Sequence, residues 1–389
     1  MILEAAKPKH RYVVLDSLRG ICACMVVLLH FVTQGHINAL PLVRNGFLFV
    51  DFFFVLSGFV IGSSYGQRLA EGFSIRRFMW LRLGRIYPLH FFVLMVFLGF
   101  EIFFLTVMPD AGYRQPFQEI MSLLSLIYSI FLVQIFFGFD AVWNMPSWSI
   151  AAELWTYLIF AVLLRYMFRW IVPICILIAV IAPLVISQLT DHYLNLFHEG
   201  ALLRCMFGFS LGIIGWRMVD RVAQIRLALW ANHLIELTLV AMVVLFVSIA
   251  GAGPLSLMAP FLFCVAVLVF SRELGIVSRL LRRPPFVLLG TLSYSIYMVH
   301  WFLLLRFVNA LSFVEKLFGL ELVSSTNGHN TVGGGALFGD MMSILFLAIV
   351  IGMSWLSYNF IELPGQRFVR RWPKGRPIVI PLSAAPGAP

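Results

Sequence analysis

The chain has 389 residues, 61% of them hydrophobic and only 12% charged, with a formal net charge of +10. Soluble domains carry about 25% charged and about 45–50% apolar residues. A mean hydropathy of +0.94 therefore excludes an ordinary globular core, a disordered chain and a secreted disulfide scaffold. The composition is that of a polytopic membrane protein, and the basic excess gathers at the ends of apolar runs instead of forming a nucleic-acid surface.

A spanning helix needs about 20 mostly apolar residues. Such runs occur at 15–37, 46–65, 86–108, 120–138, 147–168, 170–190, 199–216, 230–250, 254–271, 286–310 and 336–361. They lack the alternation of lipid-facing strands, which excludes a membrane β-barrel. Basic clusters follow the second run (Arg68, Arg76, Arg77, Arg82, Arg85) and recur at Arg165 and Arg169, at Arg217, Arg221 and Arg226, at Arg272, Arg279, Arg282 and Arg283, and in the tail. They fall on one side of the bilayer, with Lys7, Lys9 and Arg11, only if 120–138 does not cross. The expectation is an all-α polytopic transmembrane helix bundle of about ten spans, both termini cytoplasmic, with 120–138 re-entrant or interfacial.

Three segments follow: a cytoplasmic N-terminus at 1–11, a transmembrane domain at 12–362 and a cytoplasmic, basic, Pro-rich tail at 363–389. The first run is too long for a signal-peptide core and lacks a small-residue cleavage site, so it reads as a retained span. Cys22, Cys24, Cys175, Cys205 and Cys264 all lie in apolar runs, with neither disulfide nor metal-ligand spacing.

An ionisable group inside a span costs about 2.5–3.5 kcal/mol on insertion scales, which makes each one a functional candidate. The candidates are Arg19, His30, Asp51, His90, Glu101, Glu153, Arg204, His300, Arg306 and Asp340. Arg19 and His30 lie eleven residues apart, about three turns and about 16 Å, on one helix face. A cation at the cytoplasmic mouth suits an anionic cofactor, and an imidazole at depth suits general-base work. The structural alternative is a snorkelling arginine and a packing histidine.

Arg82 and Arg85, neighbours on a helix face just before the third span, suit phosphate groups, with a positive-inside anchor as the plain alternative. Pro146, Ser147 and Ser149 fit a helix start. Glu153 one turn in reads as a carboxylate facing a polar cavity from the outer side, or as one favoured only by the helix dipole. Ser293, Tyr297 and His300 draw a polar stripe that interhelical hydrogen bonding also explains. His90, Glu101, Arg306 and Asp340 are isolated and read as paired or structural.

Leu15-Asp16-Ser17-Leu18-Arg19-Gly20, continuing to His30, resembles the Arg-x10-His opening of the acyltransferase-3 family of integral membrane acyltransferases. Val50-Asp51-Phe52-Phe53-Phe54-Val55-Leu56-Ser57-Gly58-Phe59 resembles its second-span motif, and Arg82-Leu83-Gly84-Arg85 its Arg-x-x-Arg segment. Pro146-Ser147-Trp148-Ser149 through Glu153 is similar to its Trp-Ser-Leu-x-x-Glu element, and Ser293–Trp301 to its Ser-Tyr-Ser-x-Tyr-x-x-His-Trp element. The motifs run in family order over residues 11–362. Two departures stand out: many members carry a second acid where this chain has Leu154, and 362–389 is too short for the esterase-like domain of some members.

The resemblance implies transfer of an acyl group, usually acetyl, from cytoplasmic acyl-CoA to a hydroxyl. The acceptor class it implies is a carbohydrate, a surface or secreted polysaccharide or its lipid-linked precursor, handled at a bacterial cytoplasmic (inner) membrane. It places Arg82 and Arg85 on the CoA phosphates, Arg19 on the acyl donor and His30 as general base or transient acyl carrier. Ser149, Glu153, Tyr297 and His300 would line the acceptor side. A thioester is already activated, so acyl-CoA (acetyl-CoA) is the only co-substrate implied and no metal is expected. Partners are the bilayer, the donor and the glycan acceptor, and a homo-oligomer is compatible with such a bundle. The main competing class, a secondary transporter or flippase, shares the buried charges, but the chain shows no internal repeat. Membrane-bound O-acyltransferases also use a buried histidine but lack the first-span Arg-x10-His arrangement, and a non-catalytic scaffold would tolerate loss of His30.

Overall fold

In the computed structural model the described residues are 11–107, 117, 121–137, 143–326 and 329–371. Residues 1–10 and the tail beyond 371 lie outside them. Among the described residues nine helices are long and apolar enough to cross a membrane, and one further apolar element, Pro254–Phe270, is shorter. The helices used below are α1 (Val13–His30), α2 (Phe49–Ile61), α3 (Ile75–Val107), α4 (Leu123–Phe131), α5 (Ser147–Tyr166), α6 (Ile171–Leu189), α7 (Ala201–Ala223) and α8 (Leu229–Ala250). They continue with α9 (Ala259–Phe270), α10 (Ile276–Leu281), α11 (Pro284–Phe318), α12 (Ala336–Ser357) and α13 (Leu363–Arg371). A hairpin, β1 (Val323–Thr326) with β2 (His329–Val332), joins α11 to α12. A helical bundle is the expected solution, because in lipid a helix satisfies its backbone groups internally.

Among the described residues of the 120–138 run the helix is the nine-residue α4, closed by Leu132 at φ 55 and a short turn at Gln134–Phe136. Nine residues rise about 14 Å, half of a hydrocarbon core of about 30 Å, so this helix is too short to cross. Polar side chains anchor it: His90 Nε2 donates to Ser129 O at 2.9 Å and Trp143 Nε1 to Ser125 Oγ at 3.0 Å.

Two glycine contacts set the centre of the bundle. A Cβ on Gly20 of α1 would stand 2.3 Å from the Leu289 carbonyl carbon, and one on Gly290 of α11 2.5 Å from Asp16 O. Likewise Gly58 of α2 and Gly212 of α7 would meet Phe209 O and Val55 O at 2.1 and 2.0 Å. Both helix pairs therefore touch backbone to backbone, the small-residue packing of membrane bundles.

Most intramembrane charges turn out to be paired. Arg204 binds Asp51 through two bonds of 3.0 and 2.7 Å, with neither side chain exposed, and spends its other donors on Leu196 O and Phe47 O at 3.0 Å each. Asp340 accepts from Ile37 N and meets His36 Nδ1, each at 2.8 Å, and Arg306 lies 4.8 Å over the Phe100 ring. Glu236, hidden from the sequence reading within an apolar run, caps α10 by accepting from Gly275 N at 2.7 Å and Ser278 N at 2.9 Å.

The tail expected from 363 opens as helix. After an expanded turn at Tyr358–Glu362 the chain continues into α13, which lies against the start of α3. There Gly84 admits Val369, whose Cγ1 would stand 2.4 Å from a Cβ at Gly84, and Gly365 sits on Pro88.

A cleft with three arginines and a buried histidine pair

Helices α1, α2, α3, α5 and α11 enclose a cleft of about 740 Å³, its open mouth included. Arg19, Arg82, Arg85, Ser149, Glu153 and Tyr297 all line it. Three guanidinium groups against one carboxylate make the lining cationic, suited to an anionic ligand.

The arginines differ in how far the protein uses their donors. Arg19 Nε donates to Ser293 Oγ at 2.7 Å and Nη2 to Gly290 O at 3.3 Å, with Asp16 Oδ1 at 3.6 Å. Arg82 donates once, to Tyr65 OH at 3.3 Å, lies 5.1 Å from that ring, and has a buried Nε without a partner among the described residues. Arg85 forms no hydrogen bond or ion pair with any described residue and nevertheless lines the cleft. Guanidinium donors that the protein leaves unused in a cleft are available to acceptor oxygens of water or of a ligand.

Glu153 Oε1 accepts from Tyr157 OH at 2.5 Å and from Ser57 Oγ. Ser149 Oγ donates to Pro146 O at 3.0 Å, so its bond with Tyr297, 2.8 Å long, has the phenol as donor. Tyr294 OH donates to Ile86 O and ties α11 to α3. The sequence reading set Glu153 on the outer side, apart from the arginines; the structure has it in their cleft.

His30 and His300 do not line this cleft. They pair at the far end of α1, ring centroids 5.1 Å apart and 27° from parallel, with Trp301 edge-on to His30 at 5.5 Å. His30 Nδ1 lies 2.9 Å from Val26 O and 3.2 Å from His300 Nε2, and His300 Nδ1 lies 2.7 Å from Tyr297 O. His300 is fully buried. No group of three or more His, Cys, Asp or Glu able to hold a metal occurs among the described residues.

The family model described as an acyltransferase domain, that of acyltransferase-3, matches residues 12–358. The chain belongs to the acyltransferase-3 family. A Komagataeibacter xylinus protein with the provisional name membrane-bound transacylase BcsY is 25% identical over 373 residues, 94% of this chain and 86% of that protein. Protein 2 in picA locus of Rhizobium radiobacter is 34% identical over 96 residues, 24% of this chain, and the chain spans only 48% of that relative's length. No solved structure matches.

The acyltransferase-3 motifs thus divide into two places: the Arg-x-x-Arg segment, Glu153 and Tyr297 share the cleft, while the histidines of the first-span and α11 motifs meet each other. Ser57 and Tyr157 escaped the sequence reading. Tyr157 had a signal, lying four residues after Glu153 on one helix, and Ser57 lies within the second-span motif, but no spacing links it to Glu153. Glu362, also missed, is buried and accepts from Ser295 Oγ at 2.7 Å and Gln366 Nε2 at 3.0 Å, clamping the start of α13 to α11.

Proposed function

We propose that this membrane acyltransferase moves an acetyl group from cytoplasmic acetyl-CoA to a hydroxyl of a carbohydrate, a surface or secreted polysaccharide or its lipid-linked precursor, at a bacterial cytoplasmic membrane. The observation that carries the reading is the cleft, in which Arg82 and Arg85 hold guanidinium donors that no described residue uses. Coenzyme A supplies the matching oxygens on its phosphates. Arg19, lining the same cleft from α1, orients the donor, and the pantetheine arm extends along α1 toward His30, about 16 Å farther on. Ser149, Glu153 and Tyr297 offer hydroxyl and carboxylate groups to a hydroxyl-bearing substrate.

In the reaction the acceptor hydroxyl attacks the thioester carbonyl while His30 takes its proton at Nε2. The C–O ester bond forms, the C–S bond breaks, and the departing thiolate collects the proton from His30. A positioned base of this kind contributes about 10²–10⁴-fold in rate.

The test uses membrane vesicles holding the protein, radiolabelled acetyl-CoA and a lipid-linked glycan extract. Alkali-labile label forms with the native protein, and His30→Ala, inserted to the same level, loses at least about 100-fold. Equal labelling by both would remove His30 from the chemistry. Absence of label with native protein across acyl donors and glycan acceptors would overturn the reading.

A further inference from the structure

Two carbonyl contacts determine where the protons of the histidine pair sit. A carbonyl oxygen only accepts, so the ring nitrogen facing it must carry hydrogen. Nδ1 of His30 faces Val26 O and Nδ1 of His300 faces Tyr297 O, which makes both neutral rings Nδ1–H tautomers. His300 Nε2, 3.2 Å from His30 Nδ1, is then an acceptor, and the His30 Nδ1–H is shared between the Val26 carbonyl and the His300 lone pair. No described carboxylate bonds either ring. Trp301 and the stacked His300 ring confine His30 from two directions, and His300 is itself fixed by burial and its own carbonyl bond.

We propose that His300 is a positioning residue for His30: its Nε2 accepts from His30 Nδ1–H, holds the ring with Nε2 as the reacting nitrogen, and shares the positive charge when His30 takes a proton. On this proposal His300 acts through His30, where the resemblance implies an acceptor-side role. Its catalytic consequence rests on the acyl-transfer reading, but the tautomer does not. The acceptor O–H proton moves to His30 Nε2, Nδ1–H stays on His300 Nε2 throughout, and the new proton leaves with the thiolate. His300 plays the part that a carboxylate plays behind the histidine of a hydrolase triad, with a neutral acceptor instead of an anion.

Two readouts test this on the full chain in lipid. Nitrogen-15 solid-state NMR of histidine-labelled protein, with His30→Asn to assign the signal, should find Nδ1 protonated and Nε2 bare in His30. Protonation at Nε2 would overturn the proposal whether or not any acyl transfer is measured. In the vesicle assay His300→Leu should lower kcat on the order of 100-fold with an unchanged KM for acetyl-CoA. His300→Gln, which returns an acceptor near the lost Nε2, should recover most of that loss. Native kcat in His300→Leu would overturn the proposal, and so would a His300→Gln as impaired as His300→Leu at equal insertion, since that marks a packing role. If native protein transfers no acyl group while His30 carries the Nδ1–H signal, the functional reading fails and the histidine geometry stands.

Discussion

The charged residues of this bundle sort by whether the protein meets their hydrogen-bonding needs. Asp51 and Arg204 pair through two bonds with no exposure, and two backbone carbonyls take further Arg204 donors. Removing one member of such a pair leaves the other charge buried and costs about 3–5 kcal/mol. Arg204→Met should therefore lower the thermal midpoint steeply in detergent, and Asp51→Asn should do the same, while neither touches the cleft. Arg85 is the opposite case, a guanidinium that lines the cleft and is hydrogen-bonded by no described residue, and its proposed partner is the acyl donor. Arg85→Ala should raise the KM for acetyl-CoA at least about tenfold, about 1.4 kcal/mol, with the thermal midpoint within a degree or two of native. Lysine should restore little, because a point charge does not reproduce the planar fork. An unchanged KM would release Arg85 from donor binding.

At the level of elements, α13 has more to do with the cleft than its place beyond the family match suggests. Its Val369 fills the space that Gly84 leaves between Arg82 and Arg85, and its Gly365 rests on Pro88 one turn further along α3. Gly84→Ala should force the two helices apart, at about 1–3 kcal/mol for overpacking, and raise the KM for acetyl-CoA by displacing both arginines. Val369→Ala in the same chain makes room for the new methyl group and should recover most of both losses. If the double variant is no better than the single one, α13 does not control the arginine segment. The motif itself was readable from the sequence, since two arginines three apart are helix neighbours whatever surrounds them. The reason for the glycine between them was not readable, because the residue that needs the space arrives 285 positions later.

For the whole molecule, the short α4 decides topology. With α4 too short to cross, the segments after α2 and after α5 lie on the same side, opposite the loop after α1. Ser74→Cys and Arg169→Cys, both exposed, should react with a membrane-impermeant maleimide from the cytoplasmic side, and Arg44→Cys only from the other. Labelling of Ser74→Cys and Arg169→Cys from opposite sides would show that 120–138 crosses after all.

Composition alone compelled a helical membrane bundle, because a chain this apolar must satisfy its backbone inside helices once it leaves water. Local spacing was enough to single out Arg19 with His30, Arg82 with Arg85, and the Ser293–His300 stripe, since helical periodicity links residues a few turns apart without knowledge of the fold. Spacing along one helix carries no information about what stands opposite. That Glu153 shares a cleft with the arginines, that Ser57 bonds it, and that His300 meets His30 follow only from how α1, α2, α5 and α11 pack. The Gly20–Gly290 contact brings α1 and α11 to backbone distance, so residues 270 positions apart come within one hydrogen bond.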